Sequence, residues 1–397
     1  MGKNNNKKWI LSYLIFLSAV PPLTTDMYLP ALPSMVEEFR STVGLVNLTL
    51  VLFFLFFSGS ILIWGTLSDK YGRRTILILC SALFALSGFL CAVSGNVYQL
   101  IFFRVFQAIG GGATLAVSMA VMKDVFLEKE RARALALSNM FMVIAPITAP
   151  IIGAIILKVM SWRGIFIALG GTGCVAFAGA LMMPETAEKT PDKSIIQTIG
   201  NLLGVLKNPG FAFPLPLFAV MSWPVFMFIG ASADIYVSRF GLSEQAYSLF
   251  FGANAAFSAL GPVLYMIISR YFGPSKIITA TFWMTLVSGL VIILFGNRGA
   301  YIFAATLLPA TIATSMLRPP SSNLLLEQVD KEAGAASSMM IFSFVFIGSL
   351  GIQFISLGWE DRIFILGLLY TLAGMGCLLF WPWVYRKCRK SSLEVSS

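Results

Sequence analysis

Histidine is missing from all 397 residues. The side chain that ordinarily titrates near neutral pH is absent, so any proton chemistry has to run on carboxylates. Charge is scarce too: Asp, Glu, Lys and Arg make up 12% of the chain, against 57% apolar residues. A soluble protein typically carries about 25% charged residues, so the composition excludes that class. The five cysteines (Cys80, Cys91, Cys174, Cys377 and Cys388) follow no metal or disulfide spacing and read as small buried hydrophobes. Without histidine there is no nucleophile–base or metal constellation, so the chain does not read as an enzyme and implies no cofactor. Gly171-Thr172-Gly173-Cys174-Val175-Ala176 has the glycines of a dinucleotide fingerprint. It lies inside an apolar run with no preceding strand, and reads as helix packing. No phosphate loop is present, which leaves an ion gradient rather than ATP as the energy source.

What the chain has in abundance is long apolar runs. Twelve are counted, near 9–30, 45–66, 75–94, 97–122, 134–157, 162–183, 211–233, 246–268, 275–296, 300–322, 335–357 and 362–384. Each is long enough to cross a bilayer core of roughly 30 Å as a helix. They are continuously apolar rather than alternating, which argues against a barrel. Lys7-Lys8 before the first run mimics a secretory signal, but no small-residue cleavage site follows, so the run reads as a retained helix. With the N-terminus placed inside, twenty of the 28 Lys and Arg residues fall on inner segments and six on outer ones. Both termini are therefore expected in the cytoplasm. The net charge of +10 then expresses topology and affinity for membrane lipid, not nucleic-acid binding.

The longest polar stretch, 184–208, has six runs before it and six after. The expected organisation is an N-terminal six-helix bundle (1–183), a cytoplasmic linker (184–208), and a C-terminal bundle with a short basic tail (209–397). Two such halves imply an internal repeat with a binding site between them near the midplane.

Asp26, in Thr24-Thr25-Asp26-Met27-Tyr28-Leu29-Pro30, lies within the first run. Ionisable groups at membrane depth are costly and mark transport or proton relay. Asp26 is the leading proton-coupling candidate, with Asp234 second. Arg104, in the fourth run, shares a helical face with Gln107, Gly111 and Ser118. Its charge needs a cavity or partner, and Asp26 is the nearest in kind; snorkelling to outer headgroups is the alternative. Between the second and third runs, Gly65-Thr66-Leu67-Ser68-Asp69-Lys70-Tyr71-Gly72-Arg73-Arg74 reads as a short loop that can pin two helix ends through charge-assisted bonds. Pro146 and Pro150 loosen the fifth run, where Ala145, Ala149 and Gly153 form a small-residue seam. Ala108, Gly112, Ala116 and Ala120 form another in the fourth. Most of the 34 Phe residues face lipid or pack helices. Tyr28, Phe53, Phe57, Phe141, Trp223 and Phe226, with Gln107 and Asn254, are the candidates to line a substrate site, since aromatics beside a few polar groups suit varied amphiphiles.

The 65–74 segment resembles the most diagnostic motif of the major facilitator superfamily, a cytoplasmic gate. Gly65, Asp69, Gly72, Arg73 and Arg74 are the positions that carry that role. The 145–153 segment resembles the antiporter motif of the same superfamily, which adds Pro146, Pro150 and Gly153 to the gating set; Ala145 and Ala149 stand where that motif usually has glycine. The Asp26 segment with Pro30 and Pro33, the Arg104/Gln107 pair, Leu249–Ala255 and 334–337 together resemble the bicyclomycin/chloramphenicol-resistance (Bcr/CflA) branch of drug:proton antiporters. Asn47, Ile61 and Asp234 depart from that branch. The resemblance implies a major facilitator fold, all-α with twelve transmembrane helices in two pseudo-symmetric bundles. It also implies a monomeric, multi-pass carrier of the bacterial inner membrane that exports small amphiphilic compounds or drugs in exchange for protons. The alternatives are a dedicated exporter of one endogenous metabolite, such as a siderophore or sugar, and a proton-driven uptake symporter.

Overall fold

In the computed structural model the described residues are 3–187, 200, 202–329 and 333–395. Lys189, Lys193 and Lys331, part of the inner basic set, lie outside them. Among the described residues the secondary structure is helical throughout. Among these residues twelve helices are long and apolar enough to cross a membrane: α1 (Lys7–Glu38), α2 (Val43–Tyr71), α3 (Arg73–Ala92), α4 (Val97–Val125), α5 (Glu130–Val159), α6 (Trp162–Met182), α7 (Pro209–Arg239), α8 (Glu244–Ile268), α9 (Pro274–Arg298), α10 (Ala300–Leu326), α11 (Gly334–Ile355) and α12 (Arg362–Cys388).

Three of them are interrupted, α1, α7 and α8; α8 has a one-residue turn at Ala259, between Glu244–Ser258 and Leu260–Ile268 and three residues before Pro262. In α1 the regular helix ends at Asp26, Leu29–Ala31 is a 3-10 turn, and a second piece runs Leu32–Glu38. Pro30 and Pro33 cannot donate to a continuing helix, so the ladder stops ahead of them. α7 is broken into Pro209–Ala212, Pro214–Val220 and Trp223–Ala233, then a π-helical turn, Asp234–Arg239. The prolines of α5 behave differently: the helix runs unbroken from Glu128 to Val159 through Pro146 and Pro150.

The 65–74 segment is not a loop. α2 continues to Tyr71 and α3 starts at Arg73, so the connection is Gly72 alone. Helix propagation absorbs Gly65 to Tyr71 because the apolar face of α2 carries on through Trp64 and Leu67 into a buried cluster. Gly72 adopts φ +100°, a conformation open to glycine and strained for any L side chain.

The chain divides into two compact units, residues Met1–Ile195 with Glu244–Gly252, and Ile196–Ser243 with Ala253–Ser397. The same packing scheme serves each. In the first, α2 packs on α4, α3 on α4 and α6, and α1 on α5. In the second, the helices six places later do the same: α8 on α10, α9 on α10 and α12, α7 on α11. Close approaches depend on glycine in both. A Cβ on Gly88 of α3 would stand 2.8 Å from the Gly170 backbone of α6, and one on Gly289 of α9 would stand 2.5 Å from the Thr371 backbone of α12. Gly173, from the false dinucleotide motif, has the same duty against Ala85, while Gly171 faces open space.

Gly88→Ala and Gly289→Ala should therefore each destabilise the protein by about 1–3 kcal/mol. Gly171→Ala should be neutral or slightly stabilising, because it gains helix propensity with no clash. Thermal unfolding of the three purified variants in detergent checks this. Equal midpoints for all three would show that the helix pairs are not packed backbone to backbone.

Candidate functional site

The break in α1 exposes peptide groups that a straight helix would satisfy, and the residues around it are polar. Asp26 ends the helical piece and is 5% exposed. Its carboxylate accepts a hydrogen bond from Thr25 Oγ1 at 2.9 Å. Among the described residues no cation lies within ion-pair distance of it. Immediately beyond, α5 presses Gly153 against the break: a Cβ there would stand far closer to the Met27 carbonyl oxygen than van der Waals contact allows. The antiporter-like glycine thus touches the backbone next to the candidate proton carrier, and no other residue fits.

Arg104 lies 0% exposed, its guanidinium inside the helices and not among outer headgroups. Nη1 donates to Gln107 Oε1 at 2.8 Å and to the Thr24 carbonyl at 3.2 Å. The cation sits 4.2 Å from the ring centre of Phe53 and 4.6 Å from that of Tyr28. Arginine and Asp26 do not form an ion pair; Arg104 instead holds the turn that precedes the aspartate. The faces of the Tyr28, Phe53 and Phe166 rings attract the desolvated cation through their quadrupoles. Among the described residues, Arg104 Nε and Nη2 and Gln107 Nε2 are buried without a hydrogen-bond partner. Unpaired buried donors are costly.

Tyr28 and Phe53 are thus brought to Arg104, and Phe57 stacks on Phe53 with ring centres 5.7 Å apart. Two contributors escaped the sequence reading. Thr49 bonds to the Tyr28 hydroxyl at 3.1 Å, and Phe166 packs on the Tyr28 ring. Thr49 is one helical turn before Phe53, so the face shared by Phe53 and Phe57 could have led to it. Phe166 carried no signal beyond being aromatic.

At the other end of the first unit, Arg73 gathers the gate. It pairs with Asp69 at 2.5 Å and with Asp124 at 3.0 Å, and donates to Ser68 Oγ at 2.6 Å. Its backbone N–H donates to Glu185 Oε1 at 2.8 Å, which caps the first turn of α3. Arg74 reaches the Leu181 carbonyl at 2.8 Å. Asp124 and Glu185 were not foreseen. Asp124 had a signal, since an acid in the last turn of a helix opposes the helix dipole and needs a cation. Gly65 has no close neighbour, so its role is not steric.

In the second unit Asp234 is ion-paired with Arg362 at the start of α12. Trp223 Nε1 donates to the Ile347 carbonyl of α11 at 3.0 Å, and Phe226 meets Phe344 edge-on with centres 5.9 Å apart. Asn254 accepts from Thr311 on α10 at 3.2 Å. Phe141, on α5, is 39% exposed, and the structure does not bring it to the Asp26 cluster.

A family model for the Major Facilitator Superfamily matches residues 14–352. The chain belongs to that superfamily. It is a membrane transporter, not an enzyme, and a multi-pass protein of the kind found in bacterial inner membranes. It is 28% identical over 388 residues to an uncharacterised MFS-type transporter, YdgK, of Bacillus subtilis, covering 94% of each chain. It is 26% identical to a chloramphenicol resistance protein of Pseudomonas aeruginosa, covering 95% of this chain and 93% of that one. A crystal structure of a bacterial homologue of the human lysosomal transporter Spinster superposes with a TM-score of 0.72 over 98% of both chains at 15% identity, a likeness of fold.

The Arg73 cluster makes a direct prediction. Asp124→Ala and Arg73→Ala should each lower the unfolding midpoint, and the double variant should fall no further than the worse single one, because the two changes remove one shared interaction. Fully additive losses, measured on purified protein, would mean that the two residues do not act as a pair.

Proposed function

We propose that this transporter is a proton-coupled antiporter that exports small amphiphilic compounds across the inner membrane by alternating access, as a monomer with both termini in the cytoplasm. The observation that carries the reading is Asp26: an acid at a helix break, nearly sealed from solvent, with only a threonine as partner among the described residues. A charge there is expensive unless a proton or a cation neutralises it. Neutralising it by a proton taken up outside, and releasing that proton inside, couples the gradient to the state of α1.

Arg104 supports this reading. It already holds Thr24, two residues before Asp26, and keeps two donor groups unsatisfied. We assign those donors to the ionised half of the cycle, when Asp26 has lost its proton. Gly153 lets α5 follow the break as it moves, and the Asp69/Arg73/Asp124 cluster fixes the inner ends of α2, α3 and α4 in one state. Cost at the gate and cost at Asp26 then alternate, and a ligand or proton shifts the balance. Tyr28, Phe53 and Phe57 offer aromatic surface beside Gln107 for part of an amphiphile. Trp223, Phe226 and Asn254, in the second unit, are further candidates for substrate contact, and the linker is 184–208. Asp234, held by Arg362, has the lesser part in coupling.

Asp26→Asn imitates the protonated acid and cannot ionise. In proteoliposomes it should lose transport driven by an imposed pH gradient while retaining substrate exchange without a gradient. Full gradient-driven transport by this variant would remove Asp26 from the coupling. Arg104→Lys should fall well short of wild type in the same assay, since an ammonium cannot bridge Thr24, Gln107 and two ring faces at once.

A further inference from the structure

Arg318 belongs to none of the interactions above. It lies on α10, eight residues from the helix end at Leu326 and therefore about 12 Å along the axis from it. That is well inside a hydrocarbon layer of roughly 30 Å. The cations near the outer and inner ends of the helices have carboxylate partners where charge clusters form: Arg362 with Asp234, Arg239 with Asp361, Arg73 with Asp69 and Asp124. Arg318 has none. Among the described residues no carboxylate stands within ion-pair distance, and no side chain or carbonyl accepts a hydrogen bond from its guanidinium. Its contact is the ring of Phe344 on α11, whose centre lies 4.5 Å from the guanidinium carbon. A ring steadies a cation without using up any of its five N–H donors.

The residue is nonetheless exposed. The direction of that exposure follows from helix geometry. Pro309, which lines the groove between α9 and α10, is nine residues away. At about 100° per residue the two point to opposite sides of α10. Arg318 shares its side with Thr311, two turns earlier, whose hydroxyl donates to Asn254 of α8. Phe344 continues into Phe226 of α7, edge to face. An open guanidinium, a polar pair and two aromatic rings thus lie on the side of α10 that faces α7, α8 and α11.

We propose that Arg318 is an anion anchor for the transported substrate, and that the cargo is an amphiphilic organic acid whose carboxylate takes the bidentate edge of the guanidinium while its apolar body lies against Phe344 and Phe226. A cation kept at membrane depth without a counter-ion is costly. A planar fork recognises two adjacent oxygens better than any point charge does. The inference rests on the export reading only in taking the cargo to be a small amphiphile.

The test uses the full-length protein in nanodiscs of neutral lipid at neutral pH. Three probes of one shape are compared by equilibrium binding: 1-naphthaleneacetate, its uncharged amide, and 1-naphthylmethylamine. Wild type should bind the acid roughly tenfold or more tightly than the amide. Arg318→Gln should abolish that preference with amide binding unchanged, and Arg318→Lys should keep only part of it. Equal binding of acid and amide by wild type overturns the proposal, as does an undiminished preference in the Gln or the Lys variant, or no saturable binding of any probe. Arg318-dependent stabilisation by added phosphatidylglycerol, with none by the naphthyl acid, would assign the arginine to a lipid headgroup and overturn it too. The export reading fails separately: if acid binding depends on Arg318 but no pH gradient drives transport of the acid, this inference stands and the antiport reading falls.

Discussion

Every polar group that this chain carries into hydrocarbon has to be neutralised within the protein, and the structure is organised around the few that are not backbone-paired helices. An unsatisfied peptide or charge costs several kcal/mol where no water can reach it. The break in α1 is therefore possible only because other helices cover it. Gly153 lets α5 approach the Met27 carbonyl at a distance any Cβ would forbid, and Arg104 reaches across from α4 to the Thr24 carbonyl. Pro30 and Pro33 stop the ladder, and Gly153 and Arg104 cover what it leaves open. The cover of the break beside Asp26 thus comes from two residues far away in sequence, one the smallest available and the other the longest cation.

The three interior or inner-end arginines show three solutions to one electrostatic problem. Arg73, near the membrane edge, is neutralised by acids on α2 and α4. Arg104, fully enclosed, is held by ring faces, an amide and a carbonyl, and keeps spare donors. Arg318 is held by one ring and left open. Neutralisation by acids fixes a helix end. Solvation by quadrupoles and carbonyls leaves the cation able to accept an anion later. That ordering separates a structural charge from one whose partner arrives during function.

Much of the architecture could be read from the chain because it depends on local pattern. Continuous apolar runs give the number of helices, and the polar stretch after Met183 falls between two sets of six. The pair Arg104 and Gln107, three residues apart on a helix, has to meet wherever the helix sits. What was not legible depends on closure over long sequence distances. Asp124 meets Arg73 across 51 residues and Glu185 caps its backbone across 112. Opposite charges suggested that Arg104 would seek Asp26. The carboxylate is instead bonded by Thr25, and the arginine meets the Thr24 carbonyl. The 65–74 segment misled for a related reason: its glycines and charges look like a loop, but only Gly72 has a conformation that a helix cannot contain.

The two units reuse one packing scheme, and they differ where function would have them differ. α3 meets α6 through Gly88 and Gly170, and α9 meets α12 through Gly289 and Gly367, so the supporting layers are equivalent. The helices that carry the charges are not. The first unit places an acid at the break of α1 and an enclosed arginine on α4. The second pairs its acid on α7 with Arg362 and carries an open arginine on α10, six helices after α4. A repeat conserves the scaffold because glycine contacts tolerate no change in either copy. It frees the corresponding charged positions to diverge, since each needs only some form of neutralisation. The acid at the break of α1 and the open arginine on α10 are two such divergences, carried on one scaffold.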